Sequence, residues 1–219
     1  MSSVDFIIFV VYLLVVSRVL YQAYDSLEDR VRIRFDKAAF QDQLKVNALE
    51  NAIAIGFGFR DSDRYLFNEI PTSLEMSIEN KTGTYPIKVD WDRSSLNDFS
   101  GRSRRVIHLT SMYPIDLATE QRPTFIAPRG VLQSRITAEE LITRDDGGNV
   151  KATAPIINLG KAANGNFMAG KAPITFTLWL TLEIPELHNN QTYERLYSLP
   201  CTFLIEKTPW QEYLPFYGK

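Results

Sequence analysis

The densest group of side chains able to bind a ligand is a cluster of arginines. It consists of Arg102, Arg104 and Arg105. Guanidinium groups bind phosphate and carboxylate through paired hydrogen bonds, so the cluster predicts a site for a phosphate-bearing headgroup or an acidic partner. The alternative, which the nearby acids favour, is structural: the arginines form a surface network with Asp90, Asp92 and Asp98 that fixes the loop.

Two further constellations contain catalytic or metal-binding residue types. Ser103, His108 and Asp90 could act as nucleophile, base and orienting acid, but no Gly-x-Ser-x-Gly turn surrounds the serine. Asp90 and Asp92 flank Trp91 on a predicted strand, whereas calcium needs six or more oxygen ligands. We therefore expect no catalytic residue, no metal site and no cofactor, and predict that the protein is not an enzyme.

The C-terminal residues 208–219 form an aromatic tail that contains two prolines. Its four aromatic side chains are Trp210, Tyr213, Phe216 and Tyr217. Such a tail is expected either to fold back and cap the domain, or to serve as a docking segment or a membrane-interface contact. These side chains therefore join the arginine cluster as candidate partner-binding residues.

Length and composition limit the classes of protein that this chain can belong to. Its 219 residues suffice for one domain with extensions, and 45% hydrophobic with 23% charged residues excludes a disordered chain and a polytopic membrane protein. A net charge of −2 argues against a nucleic-acid partner. The single cysteine, Cys201, excludes an intrachain disulfide and agrees with a reducing compartment.

An apolar run near the start of the chain predicts a membrane anchor. Residues 6–16 read FIIFVVYLLVV, about 16 Å of helix, and continuation to Tyr24 gives about 28 Å, close to the ~30 Å hydrocarbon core. The alternatives are a cleavable signal peptide, which Asp5 and the lack of a small-x-small site disfavour, and a buried amphipathic helix. The predicted anchor residues are Phe6, Ile7, Ile8, Phe9, Tyr12, Leu13, Leu14, Arg18, Tyr21 and Tyr24.

The distribution of basic residues predicts the orientation of this anchor. None precede the apolar run, and five follow it closely: Arg18, Arg30, Arg32, Arg34 and Lys37. By the positive-inside rule, the C-terminal domain is expected on the cytoplasmic side of a plasma or thylakoid membrane.

Beyond the anchor, apolar residues alternate with polar ones, as is typical of strands. Residues 30–35 have one apolar and one basic face, and residues 174–184 and 197–205 predict two long antiparallel strands. Residues 74–78 and 87–91 predict a hairpin across an Asn-Lys-Thr-Gly turn, and residues 137–142 begin with a capping-box pattern that predicts a short helix.

Seven to nine strands with little helix predict a mainly β chain, an immunoglobulin-like antiparallel β-sandwich with an N-terminal transmembrane helix. We expect an anchor and helical neck at 1–29, a β domain at 30–207 with an irregular insertion around 143–172, and the tail at 208–219.

The segment 74–109 (LEMSIENKTGTYPIKVDWDRSSLNDFSGRSRRVIHL) resembles a motif of a poorly characterised bacterial family of membrane-attached β-sandwich proteins. Residues 126–130, 199–203 and 208–210 are similar to its membrane-anchored cyanobacterial version. The resemblance implies the fold and the anchored habit, and it suggests a photosynthetic membrane. The family has no assigned activity, so the resemblance implies no catalytic residue.

These observations predict a non-catalytic accessory, assembly or scaffolding subunit of a membrane protein complex. Its expected partners are the lipid bilayer and that complex, and self-association is compatible with this role. The first alternative is an envelope-side domain that binds a lipid or glycan, and a hydrolase is the second.

Overall fold

The computed structural model describes residues 3–28, 30–60, 62–67, 69–110, 119–144, 150–162, 165–188 and 191–208. The helices are α1 (Ser3–Glu28), α2 (Lys37–Val46), α3 (Leu159–Ala162) and α4 (Gly165–Met168). The strands are β1 (Arg30–Phe35), β2 (Ile53–Phe57), β3 (Tyr65–Leu66), β4 (Leu74–Asn80), β5 (Ile87–Asn97), β6 (Ser103–Leu109), β7 (Thr124–Ile126), β8 (Val131–Ala138), β9 (Ile142–Arg144), β10 (Val150–Ala152), β11 (Ile174–His188) and β12 (Gln191–Lys207).

The apolar run forms the N-terminal part of α1, a helix of 26 residues and about 39 Å. Its segment Val4–Gln22 is long and apolar enough to cross a membrane, and none of this segment is buried against the rest of the protein. The alternative of a helix packed against the domain is therefore wrong. A signal sequence has the same length and composition, so the helix by itself does not establish a membrane span.

The described strands form one ten-stranded antiparallel sheet and a small β9–β10 hairpin. The order in the large sheet is β2-β4-β8-β6-β5-β11-β12-β1-β3, and β7 pairs with β5. The sheet curls on itself: the rings of Phe57 on β2 and Phe203 on β12 pack edge to face at 4.7 Å, although five strands separate β2 from β12 in this order. The core lies inside the curl, where Trp91 is fully buried.

The alternating patterns correctly predict the mainly β, antiparallel character of the domain. β11 and β12 pair in register from Ile174↔Ile205 to His188↔Gln191, as two long strands. On β1, Val31 and Ile33 are buried while the basic side chains lie on the other face. Hydrogen bonds connect ten of the described strands into one curled sheet.

The predicted hairpin between residues 74–78 and 87–91 is wrong. β4 pairs with β2 and β8, whereas β5 pairs with β6, β7 and β11. The side chain of Asn80, which is fully buried, donates hydrogen bonds to the carbonyl oxygens of Tyr85 and Ile126 and accepts one from the Thr82 amide. These bonds direct the chain out of β4 and across the curl, so the turn pattern marks a crossover.

The predicted helix at residues 137–142 is also wrong. Thr137 and Ala138 are buried in β8, and only a single 3₁₀ turn follows at Glu139–Leu141. The Thr137 hydroxyl, which the predicted capping box requires, donates to the carbonyl oxygen of Thr72 at 2.8 Å. The tertiary hydrogen bond therefore replaces the local cap.

Helix α2 was not predicted, although the sequence contains its signals. Asp36 is the N-cap, and its carboxylate accepts a hydrogen bond from the Ala39 amide at 3.0 Å. Phe40 and Leu44, four residues apart, are buried on one face of the helix. An N-cap followed by such a pair would have identified the helix.

The strand register places Arg30, Asn97, Ser103 and Lys207 at one end of the curled sheet, and we call it the α1 end because α1 leads into it. The irregular insertion contributes a cap to this end, defined as residues 153–162 and 165–173, which contacts Arg104 and Lys207. Its described side chains include four buried apolar ones, Ile156, Ile157, Leu159 and Phe167. Part of the predicted irregular region therefore belongs to the core.

Candidate functional site

The arginine cluster lies at the α1 end, where a tight turn joins β5 to β6. In this turn the Asp98 carboxylate accepts hydrogen bonds from the amides of Ser100, at 2.9 Å, and Arg102, at 3.1 Å. Burial alone would raise the pKa of Asp98, but these hydrogen bonds outweigh it and lower the pKa. Gly101 has φ +80°, which favours glycine. The turn thus fixes the backbone of Arg102 at the start of β6.

Arg104 connects β6 to the cap. Its side chain is only 7% exposed, and its Nη2 donates to the carbonyl oxygen of Ile156 at 2.9 Å. Its Nη1 lies 3.5 Å from a carboxylate oxygen of Glu140. This guanidinium is therefore committed to internal contacts.

Arg105 belongs to a network at the point where β5 and β6 separate. Its Nη2 and Nε contact Asp92 Oδ1 at 2.7 and 3.2 Å. The other carboxylate oxygen of Asp92 accepts the Gln121 amide at 2.6 Å, and the Gln121 side chain donates to the carbonyl oxygen of Val106 at 2.7 Å. The network therefore ties the segment before β7 to both diverging strands.

Electrostatics stabilise the charged form of Asp92. Burial alone would raise its pKa, but the hydrogen bonds from Arg105 and Gln121 outweigh burial and lower the pKa. A carboxyl whose pKa is lower in the folded state contributes stability above its unfolded pKa of about 3.9, and this stability is lost as the pH falls through the folded value.

The variant Asp92→Asn tests this network. We expect its melting temperature to lie below that of the wild-type protein at pH 7, and the difference to shrink as the pH falls below about 4. Melting curves between pH 2.5 and 7 provide the measurement. Asp42→Asn is the matched control, because that carboxylate is exposed and pairs with the exposed Lys45 on the same helix. A pH-independent difference for Asp92→Asn would contradict the electrostatic role.

Arg102 is the most exposed member of the cluster. Its side chain is 68% exposed, and its Nη2 lies 2.6 Å from a Glu140 carboxylate oxygen. Of the three aspartates that the structural interpretation named, Asp92 forms an ion pair with Arg105, Asp98 accepts the Arg102 amide, and Asp90 contacts Arg93. The predicted network is therefore confirmed in part, with Glu140 as a further partner, and ligand binding through Arg102 stays a prediction.

The residues of the conceivable hydrolase site do not come together. Ser103 and His108 are five positions apart on β6, which corresponds to about 17 Å. The His108 ring stacks on Trp91 at 4.5 Å between centroids, and burial lowers the pKa of His108. Within the described ranges, no group of three or more His, Cys, Asp or Glu side chains could hold a metal ion.

A cleft of about 970 Å³ on the outer face of β4 and β8 was not singled out from the sequence. Its floor includes Gly58, Ser77 and an ion pair between Glu75 and Arg135, with 2.6 Å between the charged atoms. The β10 strand forms part of its wall. The small residues on one face of β2 are the sequence feature that could have indicated this cleft, because small side chains leave the outer surface of the sheet flat.

The remaining predicted site residues divide between α1 and the tail. Arg18 and Tyr21 are exposed on α1, and Tyr24 belongs to the same helix, but its side chain lies outside the described part of the chain. Trp210, Tyr213, Phe216 and Tyr217 also lie outside the described residues. The last described residue before them, Thr208, donates its amide to the carbonyl oxygen of Arg30 at 3.0 Å.

No family model and no curated protein matches the chain. A protein from Archaeoglobus fulgidus of known crystal structure is 8% identical, and the alignment covers 70% of this chain and 94% of that one with a TM-score of 0.25. Similarity at this level establishes neither a shared fold nor a shared function.

Proposed function

We propose that this protein is a single-span membrane protein whose β domain acts, without catalysis, as an accessory, assembly or scaffolding subunit of a membrane protein complex. The observation that carries the proposal is the exposure of the apolar segment Val4–Gln22 on a chain whose other apolar residues largely form one core. An apolar surface of this size needs a bilayer or a partner to cover it.

The finer features of the proposal come from the sequence. The basic residues after the apolar segment support a cytoplasmic domain, and the resemblance of residues 74–109 supports an immunoglobulin-like class and a cyanobacterial-type, photosynthetic membrane. A reporter fused to the C-terminus tests the orientation, and a reporter active only outside the cytoplasm would contradict it.

A second candidate, an envelope-side domain that binds a lipid or glycan, is favoured by the cleft on β4 and β8. The cleft is large enough for a ligand of that kind, and its floor offers hydroxyl, amide and charged groups. An external domain in the reporter assay, together with glycan or lipid binding that Gln133→Ala weakens, would favour this second candidate.

Co-purification tests the subunit proposal, with Arg102 as the surface contact. Full-length tagged protein, solubilised from native membranes in mild detergent, is expected to bring down a stoichiometric partner. The variant Arg102→Ser should recover less of this partner while its stability changes by less than about 1 kcal/mol, because an exposed ion pair contributes little to folding.

Arg195→Ser is the matched control for that experiment. Its side chain is 62% exposed and also contacts a carboxylate, that of Glu186 at 3.5 Å, but it lies at the opposite end of the sheet. Mass spectrometry of the purified material identifies the partner. Purification of the chain alone, from membranes that contain it, would contradict the subunit proposal.

A further inference from the structure

The connection between α1 and the β domain is short. The apolar segment ends at Gln22, α1 ends at Glu28, and β1 begins at Arg30. Six helical residues correspond to about 9 Å, and the headgroup region on each side of a bilayer is about 5–8 Å deep. If α1 spans the membrane, as the proposed function holds, the α1 end of the sheet must therefore lie against the bilayer surface.

A turn of the cap lies beside this point of attachment. Lys207, which pairs with Val31 of β1, donates its Nζ to the carbonyl oxygen of Met168 at 3.0 Å. The adjacent Phe167 is buried in the core, and Gly170 has φ +67°, so the chain turns sharply just after it. The turn is thus fixed to the domain on one side and faces outward on the other.

The outward side of residues 168–171 is amphipathic. Met168 is 37% exposed, and Lys171 is exposed two residues after Ala169. Together with Lys207, whose Nζ contacts the Met168 carbonyl oxygen, the turn combines one exposed apolar side chain with two cationic side chains. A bilayer surface offers matching chemistry, because apolar side chains enter the headgroup boundary and lysines contact anionic phosphates.

The direction of β12 adds an independent observation. The strand runs toward the α1 end, where the amide of Thr208 bonds to Arg30, the first residue of β1. Thr208, the last described residue, therefore lies beside the first residue of β1. The sequence after it contains Trp210 and Tyr213, residue types that are enriched at membrane interfaces.

We propose that residues 168–171 and Lys207, on the side of the α1 end next to the transmembrane helix, form a lipid-binding surface that contacts anionic headgroups; Arg102, on the β5–β6 turn, is not part of this surface. The bilayer, and not a second protein, is the occupant of this surface. The inference rests on the proposed membrane span of α1.

Depth-dependent fluorescence quenching tests this surface in the full-length protein. The native Cys201 is completely buried, so a fluorophore attached through an exposed cysteine reports on one position. The variant Met168→Cys is labelled with an environment-sensitive fluorophore. The labelled protein is reconstituted into vesicles of phosphatidylcholine and phosphatidylserine, in which a nitroxide on the lipid headgroup quenches nearby fluorophores. We expect strong quenching at this position.

Tyr193→Cys is the matched control. Tyr193 is 53% exposed on the same strand as Lys207, but 14 residues along β12 separate the two, about 46 Å. Its label should escape quenching. In the Met168→Cys background, Lys171→Glu should reduce quenching, and the reduction should disappear when phosphatidylserine is omitted. Unchanged melting temperatures of both cysteine variants show that the labels report on the native fold.

The outcomes separate this inference from the function on which it rests. Equal quenching at positions 168 and 193, in protein that stays with the vesicles after an alkaline wash, overturns the lipid-binding surface and leaves the membrane span intact. Protein that the alkaline wash removes from the vesicles overturns the membrane span and the lipid-binding surface together.

Discussion

Two arginines introduced into α1, Val11→Arg with Leu14→Arg, are expected to remove the protein from the membrane fraction. Both side chains are exposed within the apolar segment. Replacing an apolar residue by arginine at the centre of a membrane helix costs about 3–4 kcal/mol, so two replacements cost about 6–8 kcal/mol. The fraction that resists alkaline extraction of native membranes is the measurement.

Val46→Arg provides the matched control, since Val46 is an exposed apolar residue, at 82%, but lies on α2. It should leave the membrane fraction unchanged. Equal extraction of the double variant and the wild-type protein would contradict the membrane span.

The same material decides between an anchor and a cleaved signal sequence. An anchor retains residues 3–28, so the intact mass of the membrane-bound protein should include α1. A mass that lacks this helix would identify it as a signal sequence instead.

The largest expected loss of stability comes from Arg104→Ala. The buried guanidinium bonds the Ile156 carbonyl oxygen and lies beside Glu140, and its removal leaves that carbonyl without its donor. Breaking such a contact lowers the free energy of unfolding by about 3 kcal/mol, which corresponds to a melting temperature lower by about 6–12 °C. Thermal unfolding in detergent measures the shift.

Arg102→Ala is the control for this prediction, because it removes a guanidinium that contacts the same Glu140 but is exposed. The Arg102→Ala substitution should lower the free energy of unfolding by less than about 1 kcal/mol. Hydrogen exchange gives a second readout: in Arg104→Ala, amides of residues 153–160 should exchange faster, since the cap loses its bond to β6. Equal effects of the two variants would show that Arg104 does not hold the cap.

The sequence revealed the features that depend on which face of a segment is buried. Alternation along residues 30–35 and 174–184 correctly predicted strands, since a strand with one buried face must place apolar residues at every second position. The apolar run correctly predicted an N-terminal helix long and apolar enough to span a membrane, because length and composition can be read without knowing any tertiary contact.

Strand pairing was harder to predict from the sequence, as the wrong prediction that residues 74–78 pair with 87–91 shows. A turn pattern between two alternating segments is local, whereas the actual partners, β2 and β8 for the first segment, are chosen by closure of the curled sheet. The buried Asn80 bonds backbone groups up to 46 residues away, and no local pattern encodes that contact.

The arginine cluster shows the same difference between what a local pattern predicts and what tertiary contacts determine. The spacing of Arg102, Arg104 and Arg105 identified a group of cations, but only the tertiary structure distinguishes a buried clamp, a network member and an exposed side chain. The carboxylate that two of them contact, Glu140, follows a strand that the sequence did not connect with them. The sequence by itself thus determined the apolar helix, the β character and the presence of the cations. The tertiary structure decided which cation reaches solvent, because burial and pairing of a charge depend on elements far apart in the chain.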